Sequence, residues 1–229
     1  MKEITTGTRL IAAGMGLVMV VSVFAGIHLL GRPDARPDIE GVLLRDPAEL
    51  PDFRLTDHRN HPFTRDELRG DWHLLSYGFT HCPDICPATL NVLGRIGDRL
   101  DERGQYNDLE LLFYSVDPLR DTPEHLAEYV RFFHPDMTGL TRNGSPDENH
   151  EPFEEGLGIV SRLPEEAQSE DAPQENYSVS HGVMLFLLNP EGKLQAVFSP
   201  TYNEDGRMHF SVDRLLEDYL AVRHWVDGA

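Results

Sequence analysis

The segment Thr80-His81-Cys82-Pro83-Asp84-Ile85-Cys86-Pro87 holds the only two cysteines of the chain, four positions apart. It joins an apolar run, Leu74 to Phe79, to a run of helical pattern, Ala88 to Leu100. The two thiols share one face if the second already lies in the first helical turn. In that position they can close a disulfide or hold one soft metal ion. A helix N-terminus also favours thiolate over thiol, which makes Cys82 and Cys86 candidates for chemistry. A structural disulfide or a pair of buried thiols is the plainer alternative.

The flanking patterns predict the frame. Trp72 to Phe79 is dense in apolar and aromatic residues, as a strand buried on both faces is. Leu90, Leu93, Ile96 and Leu100 recur at helical steps. Asp108 to Val116 reads as a second central strand, and Thr122 followed by Pro123 reads as the start of a second helix. Strand, helix, strand, helix with short connections implies a parallel sheet with right-handed crossovers. Earlier in the chain, Phe53 to Thr56 alternates like a short strand, and Thr64 to Glu67 has capping-box spacing. A short helix near Phe153 and a short strand near Ile159 precede a solvated acidic loop, Glu165 to Glu175. Val179 to Leu188 is expected to form a strand, Asn189 to Gly192 a turn, and Leu194 to Phe198 its antiparallel mate. Ser211 can cap a last helix. The sum is one α/β domain, a βαβ half followed by a ββα half around a mixed sheet.

Leu10 to Ile27 carries no charge, and about 18 such residues can cross a hydrocarbon core. Residues 1–31 are therefore expected to be a membrane anchor, 32–50 a linker, and 51–229 the folded domain. A cleaved signal peptide, cut before Gly26, is the alternative. Lys2 and Arg9 before the stretch balance Arg32 and Arg36 after it. Export of the domain is still the expected sense, because long domains translocate largely regardless of charge. No cysteine follows the stretch at which a lipid could be attached. In an oxidising compartment a close cysteine pair can cycle between dithiol and disulfide. With 39 acidic against 20 basic residues, and a net charge of -19, the chain is a poor partner for nucleic acid.

Most of the eleven histidines stand in polar, surface-like contexts. His181 differs, because it opens the apolar run Gly182-Val183-Met184-Leu185-Phe186. Gly78 to Pro87 resembles the signature loop of the Sco/SenC family, copper-handling assembly factors of cytochrome c oxidase. Ser115-Val116-Asp117-Pro118-Leu119-Arg120-Asp121-Thr122-Pro123 is similar to the family's second block. Tyr177 to Gly192, with His181 at a strand start and a later Pro-x-Gly turn, is similar to its third. The blocks come in the family's order and, with the anchor, span nearly the whole chain.

The resemblance implies a thioredoxin-like fold outside the cytoplasmic membrane, in the periplasm or its equivalent. It implies one copper ion, Cu(I) or Cu(II), held by Cys82, Cys86 and His181, with Asp117 a possible neighbour of the metal. Two departures are visible. Many members carry aspartate where this chain has Ser180, and the usual glycine of an early hairpin turn is replaced around Asn60-His61. Two thiolates and an imidazole suit Cu(I), and donor type alone does not exclude zinc.

The implied role is a metallochaperone, not an enzyme, passing copper to the dinuclear copper site of cytochrome c oxidase subunit II or to another cuproprotein. The alternative is a membrane-anchored thiol-disulfide oxidoreductase in which Cys82 attacks, Cys86 resolves, and the oxidase's copper-ligand cysteines stay reduced. A peroxide-reducing role is weakest, since no Pro-x-x-x-Thr-x-x-Cys pattern is present.

Overall fold

The structure is a computed structural model and describes residues 36–104, 106–142, 144–145, 147–164 and 177–228. The expected membrane anchor and the acidic loop lie outside the described residues. Among the described residues no helix is long and apolar enough to cross a membrane.

The centre is β4 (Trp72–Gly78), whose seven residues are all buried. It pairs in parallel with β5 (Leu109–Ser115), which pairs in parallel with β6 (Thr138–Thr141). The crossovers are α1 (Ile85–Arg103) and α2 (Pro123–Phe133). On the other side of β4, β9 (Leu185–Leu188) runs antiparallel, followed by β10 (Lys193–Phe198). The outer edge past β6 is formed by β2 (Arg54–Asp57) and β3 (Pro62–Thr64). With β1 (Gly41–Glu49) at the far edge, the eight-stranded order is β1-β10-β9-β4-β5-β6-β2-β3. The expected mixed α/β sheet is therefore observed.

Period-two alternation divides the core. Leu74 and Phe113 face one side of the sheet, where they meet Leu90, Leu93 and Ile96 of α1. Leu75 and Tyr114 face the other, where Phe153 of the short helix α3 (Glu151–Leu157) covers them. Burying each large apolar side chain of this kind contributes about 1.5–3 kcal/mol. The terminal helix α4 (Val212–Asp227), capped by the Ser211 hydroxyl, adds Leu216 and Tyr219 to the first side. Thr122 caps α2 by accepting from His125 N–H, and Pro123 opens that helix.

Three expectations are corrected. The segment read as linker up to residue 50 is, from Gly41 on, the edge strand β1. Its register shifts between Leu43 and Ala48, so Pro47 falls in a bulge on an edge, where the missing N–H costs no ladder bond. The continuous strand expected from Val179 to Leu188 is broken. Ser180–His181 forms β8 and pairs with β7 (Ser161–Arg162), and the sheet strand β9 starts only at Leu185. Finally, β6 and a small hairpin, β11 (Thr201–Tyr202) with β12 (Met208–His209), carry no signal in the sequence reading. The early hairpin tolerates its missing glycine because Asn60 takes the left-handed conformation, φ 64°.

Candidate metal centre

The chain leaves β4, turns at Phe79 to Cys82 with the Cys82 N–H donating to the Phe79 carbonyl, and enters α1 at Ile85. Cys86 is thereby in the first helical turn, as the i, i+4 argument requires. Its sulfur lies over the end of β4 because residue 78 is glycine. A Cβ there would stand 2.5 Å from Cys86 Sγ. Gly78→Ala is therefore expected to displace that sulfur and cost about 1–3 kcal/mol of stability by overpacking. Urea unfolding measures this, and an unchanged midpoint would show that the sulfur is not pinned there.

The structure brings His181 to Cys86, although 94 residues separate them. Cys86 Sγ and His181 Nε2 are 3.9 Å apart. His181 Nδ1 lies 2.6 Å from the Gly182 carbonyl, which can only accept, so Nδ1 carries the proton and Nε2 presents its lone pair. Tyr77 and Phe79 wall the ring, each edge-on at 5.6 and 5.7 Å between centroids. Gly182 is needed for this approach, since a Cβ would stand 2.6 Å from the Tyr77 hydroxyl.

Both cysteines are free thiols, Cys86 buried and Cys82 half-buried. The Cys82 thiol is pushed well down, chiefly by a hydrogen bond from Cys86 and helped by main-chain groups at the helix start, against the opposing effect of burial. Cys86 moves the other way, because its proton is held between the two sulfurs and burial opposes a second charge. The pair thus carries one proton, and the more exposed Cys82 is the thiolate. Carboxymethylation of Cys82 is expected to proceed at a nearly constant rate from pH 6 to 8. An ordinary thiol, with a pKa near 8.5, would speed up about tenfold per pH unit. A rate climbing through that range would contradict the assignment.

Asp117 is fully buried but turns to other partners. It accepts from the Tyr177 hydroxyl at 2.6 Å and pairs with Arg120 Nε at 2.6 Å. Arg120 also donates to the Tyr177 carbonyl, and its guanidinium lies 3.6 Å from the centroid of the Tyr177 ring. The Asp117–Arg120 pair therefore ties down the segment that leads to His181. The second acid of the motif, Asp121, holds the cysteine loop: it accepts from Thr80 N–H, the Thr80 hydroxyl and the Ser115 hydroxyl. Ser180 is exposed and pairs with Arg162. The roles of Arg120, Asp121, Gly78 and Gly182 are invisible in the sequence, because each depends on a contact across the fold.

Chemically, the arrangement suits a soft ion. Donors bound at about 2.0 Å (nitrogen) and 2.3 Å (sulfur) with a trigonal angle stand about 3.7 Å apart. The Cys86–His181 separation of 3.9 Å is close to that. Cys82 supplies a ready thiolate beside them.

A model of the SCO1/SenC family matches residues 44–217. The chain is 36% identical over 152 residues to mitochondrial protein SCO2 of Saccharomyces cerevisiae, covering 66% of this chain and 48% of that one. It is 33% identical over 165 residues to a putative copper-binding protein of Stutzerimonas stutzeri, covering 72% of this chain and 76% of that one. The match thus spans about half the length of the yeast relative. Among solved structures, Arabidopsis thaliana ScoI with copper bound superposes with a TM-score of 0.61 at 31% identity, covering 79% of this chain and 99% of that one. Yeast Sco1 with copper bound gives a TM-score of 0.63 at 26% identity, covering 76% and 87%. The motif order, the fold and these matches together place the chain in the SCO1/SenC family.

Proposed function

We propose that the chain carries one copper ion on Cys82, Cys86 and His181 and hands it to a cuproprotein, the dinuclear copper site of cytochrome c oxidase subunit II being the intended acceptor. The observation that carries this reading is the His181 ring: Nδ1 is fixed on the Gly182 carbonyl and Nε2 is aimed at the Cys86 sulfur. A ring held this way is already oriented to become a ligand. Two thiolates and an imidazole prefer Cu(I) and also take Cu(II). The half-exposed Cys82 is the donor that an incoming ligand can displace first. Residues 1–31 would tether the domain to the cytoplasmic membrane, with the copper site on the outer side.

The second reading, thiol-disulfide exchange, is favoured by the low pKa of Cys82 beside a protonated Cys86. The Cys82 thiolate would attack a partner disulfide, and Cys86 would then attack Cys82 and release the second partner thiol. The partner gains the two electrons that the cysteine pair loses.

One substitution separates the two. The full chain, reduced and loaded with Cu(I), is mixed with the soluble copper domain of subunit II, and both copper transfer and disulfide reduction are followed. His181→Ala should abolish transfer and leave disulfide reduction largely intact. Transfer at the parental rate from His181→Ala would overturn the carrier reading.

A further inference from the structure

Beside the thiol pair, a second set of donors converges from the opposite side of the same loop. His81 follows Thr80 and precedes Cys82, yet its ring turns to the first turn of α2 and stacks on His125 at 5.8 Å and 22°. Beneath them lies the carboxylate of Asp121, fully buried. The Thr80 hydroxyl is the hub. It is 2.5 Å from Asp121 Oδ1, 3.1 Å from His81 Nδ1 and 3.1 Å from His125 Nε2.

One hydroxyl has a single proton, which goes to the buried carboxylate. The two imidazole nitrogens then donate to the hydroxyl oxygen, and each frees its lone pair for a metal when its proton moves to the other ring nitrogen. These two nitrogens and one carboxylate oxygen all lie within 4.8 Å of one another. Around an ion with bonds of about 2.0–2.2 Å, neighbouring donors stand about 3–4 Å apart. Both histidines are exposed at the surface and can close that gap, while Asp121 Oδ2 stays anchored by Thr80 N–H and the Ser115 hydroxyl. Among the described residues, the ion-pairing partner within 4.0 Å of the Asp121 carboxylate is His81. Its three hydrogen bonds hold the carboxylate in place, so the two histidines have a fixed anionic donor to close on.

We propose that His81, Asp121 and His125 form a second metal site, for a divalent first-row ion. The Thr80 hydroxyl turns aside or serves as a neutral fourth donor, and the remaining positions open to solvent. The donors are two imidazoles and a carboxylate, without sulfur, so the site selects Cu(II) or Zn(II) over Cu(I), with Cu(II) tightest by the general affinity order. It uses none of the donors assigned to the copper carrier and stands or falls separately from that reading.

The test is a Cu(II) titration of the full chain carrying Cys82→Ser and Cys86→Ser, followed by electron paramagnetic resonance. One equivalent is expected to bind, with hyperfine coupling to two nitrogens. Since outer partners alone are worth 10–100-fold in metal affinity, losing a ligand through His81→Ala or His125→Ala should weaken binding by about 100-fold. Each should also reduce the coupling to one nitrogen, whereas His181→Ala should change nothing. If the double serine chain fails to fold, the parent chain with its cysteines oxidised to a disulfide gives the same readout. Absence of stoichiometric binding, binding indifferent to His81→Ala and His125→Ala, or an equal loss in His181→Ala would each overturn the site.

Discussion

Replacing Cys86 by serine is expected to remove tight copper binding altogether. Serine keeps the size of the side chain, so the packing over Gly78 survives, but a buried hydroxyl stays protonated at neutral pH and is a poor donor to a soft ion. The serine hydroxyl can still donate to the Cys82 thiolate, so the loss expected is that of one sulfur donor. Against a competing chelator, the affinity for Cu(I) should fall by more than about 100-fold, beyond what outer-shell changes cause. His181→Ala should show a loss of the same sense. A Cys86→Ser chain that retains one copper per molecule under competition would mean that the ion is held elsewhere.

The second large effect is structural and reaches the site indirectly. Asp117→Ala is expected to destabilise the fold by about 3–5 kcal/mol, the cost of leaving one charge of a buried pair without its partner. The Asp117 and Arg120 side chains are 0% and 5% exposed, so water does not replace the lost contact. In a domain of this size that corresponds to a melting point lower by about 6–20 °C. The Tyr177 hydroxyl loses its acceptor too, and the segment from Tyr177 to His181 would depend on Arg120 and the two-residue ladder with Ser161 and Arg162. Copper should consequently leave faster from Asp117→Ala than from the parent, measured by stopped-flow transfer to a chelator. Asp117→Asn keeps an acceptor for Tyr177 and should lose less. A chain with unchanged melting and unchanged copper release would show that the pair does not hold the segment.

What the sequence disclosed follows from how local each determinant is. The turn from β4 into α1 could be read because one apolar run ends and one helical run begins at the cysteines. Thr122 with Pro123, Ser211, and Asn189 to Gly192 announce their caps and turn through residues whose preferences act within a few positions. Edge strand β1 was hidden because Pro47 and its charged neighbours resemble a linker, and only pairing with β10 makes them a strand. The break after His181 was hidden for a similar reason. Nothing in Gly182-Val183-Met184 forbids a strand, and it is the pairing of Ser180–His181 with Ser161–Arg162, distant in sequence, that separates them from the sheet strand.

The site divides along the same line. Cys82, Cys86 and His181 could be proposed as ligands from residue type and family resemblance, and the fold brings His181 to Cys86. Asp117 was named beside the metal on the family resemblance alone, and nothing local to the motif sets it apart from Asp121. In the structure they diverge, Asp117 to Arg120 and Tyr177, Asp121 to Thr80 and Ser115. His125 looked like a surface residue, and only the stacking of His81 on it shows that the two imidazoles share a carboxylate.

X-ray absorption at the copper edge, on the reduced full chain loaded with one equivalent of Cu(I), tests the central claim most directly. The account predicts three donors: two sulfurs at about 2.2–2.3 Å and one imidazole nitrogen at about 2.0 Å, with the nitrogen lost in His181→Ala. A spectrum with two sulfurs and no imidazole, unchanged by His181→Ala, would contradict it.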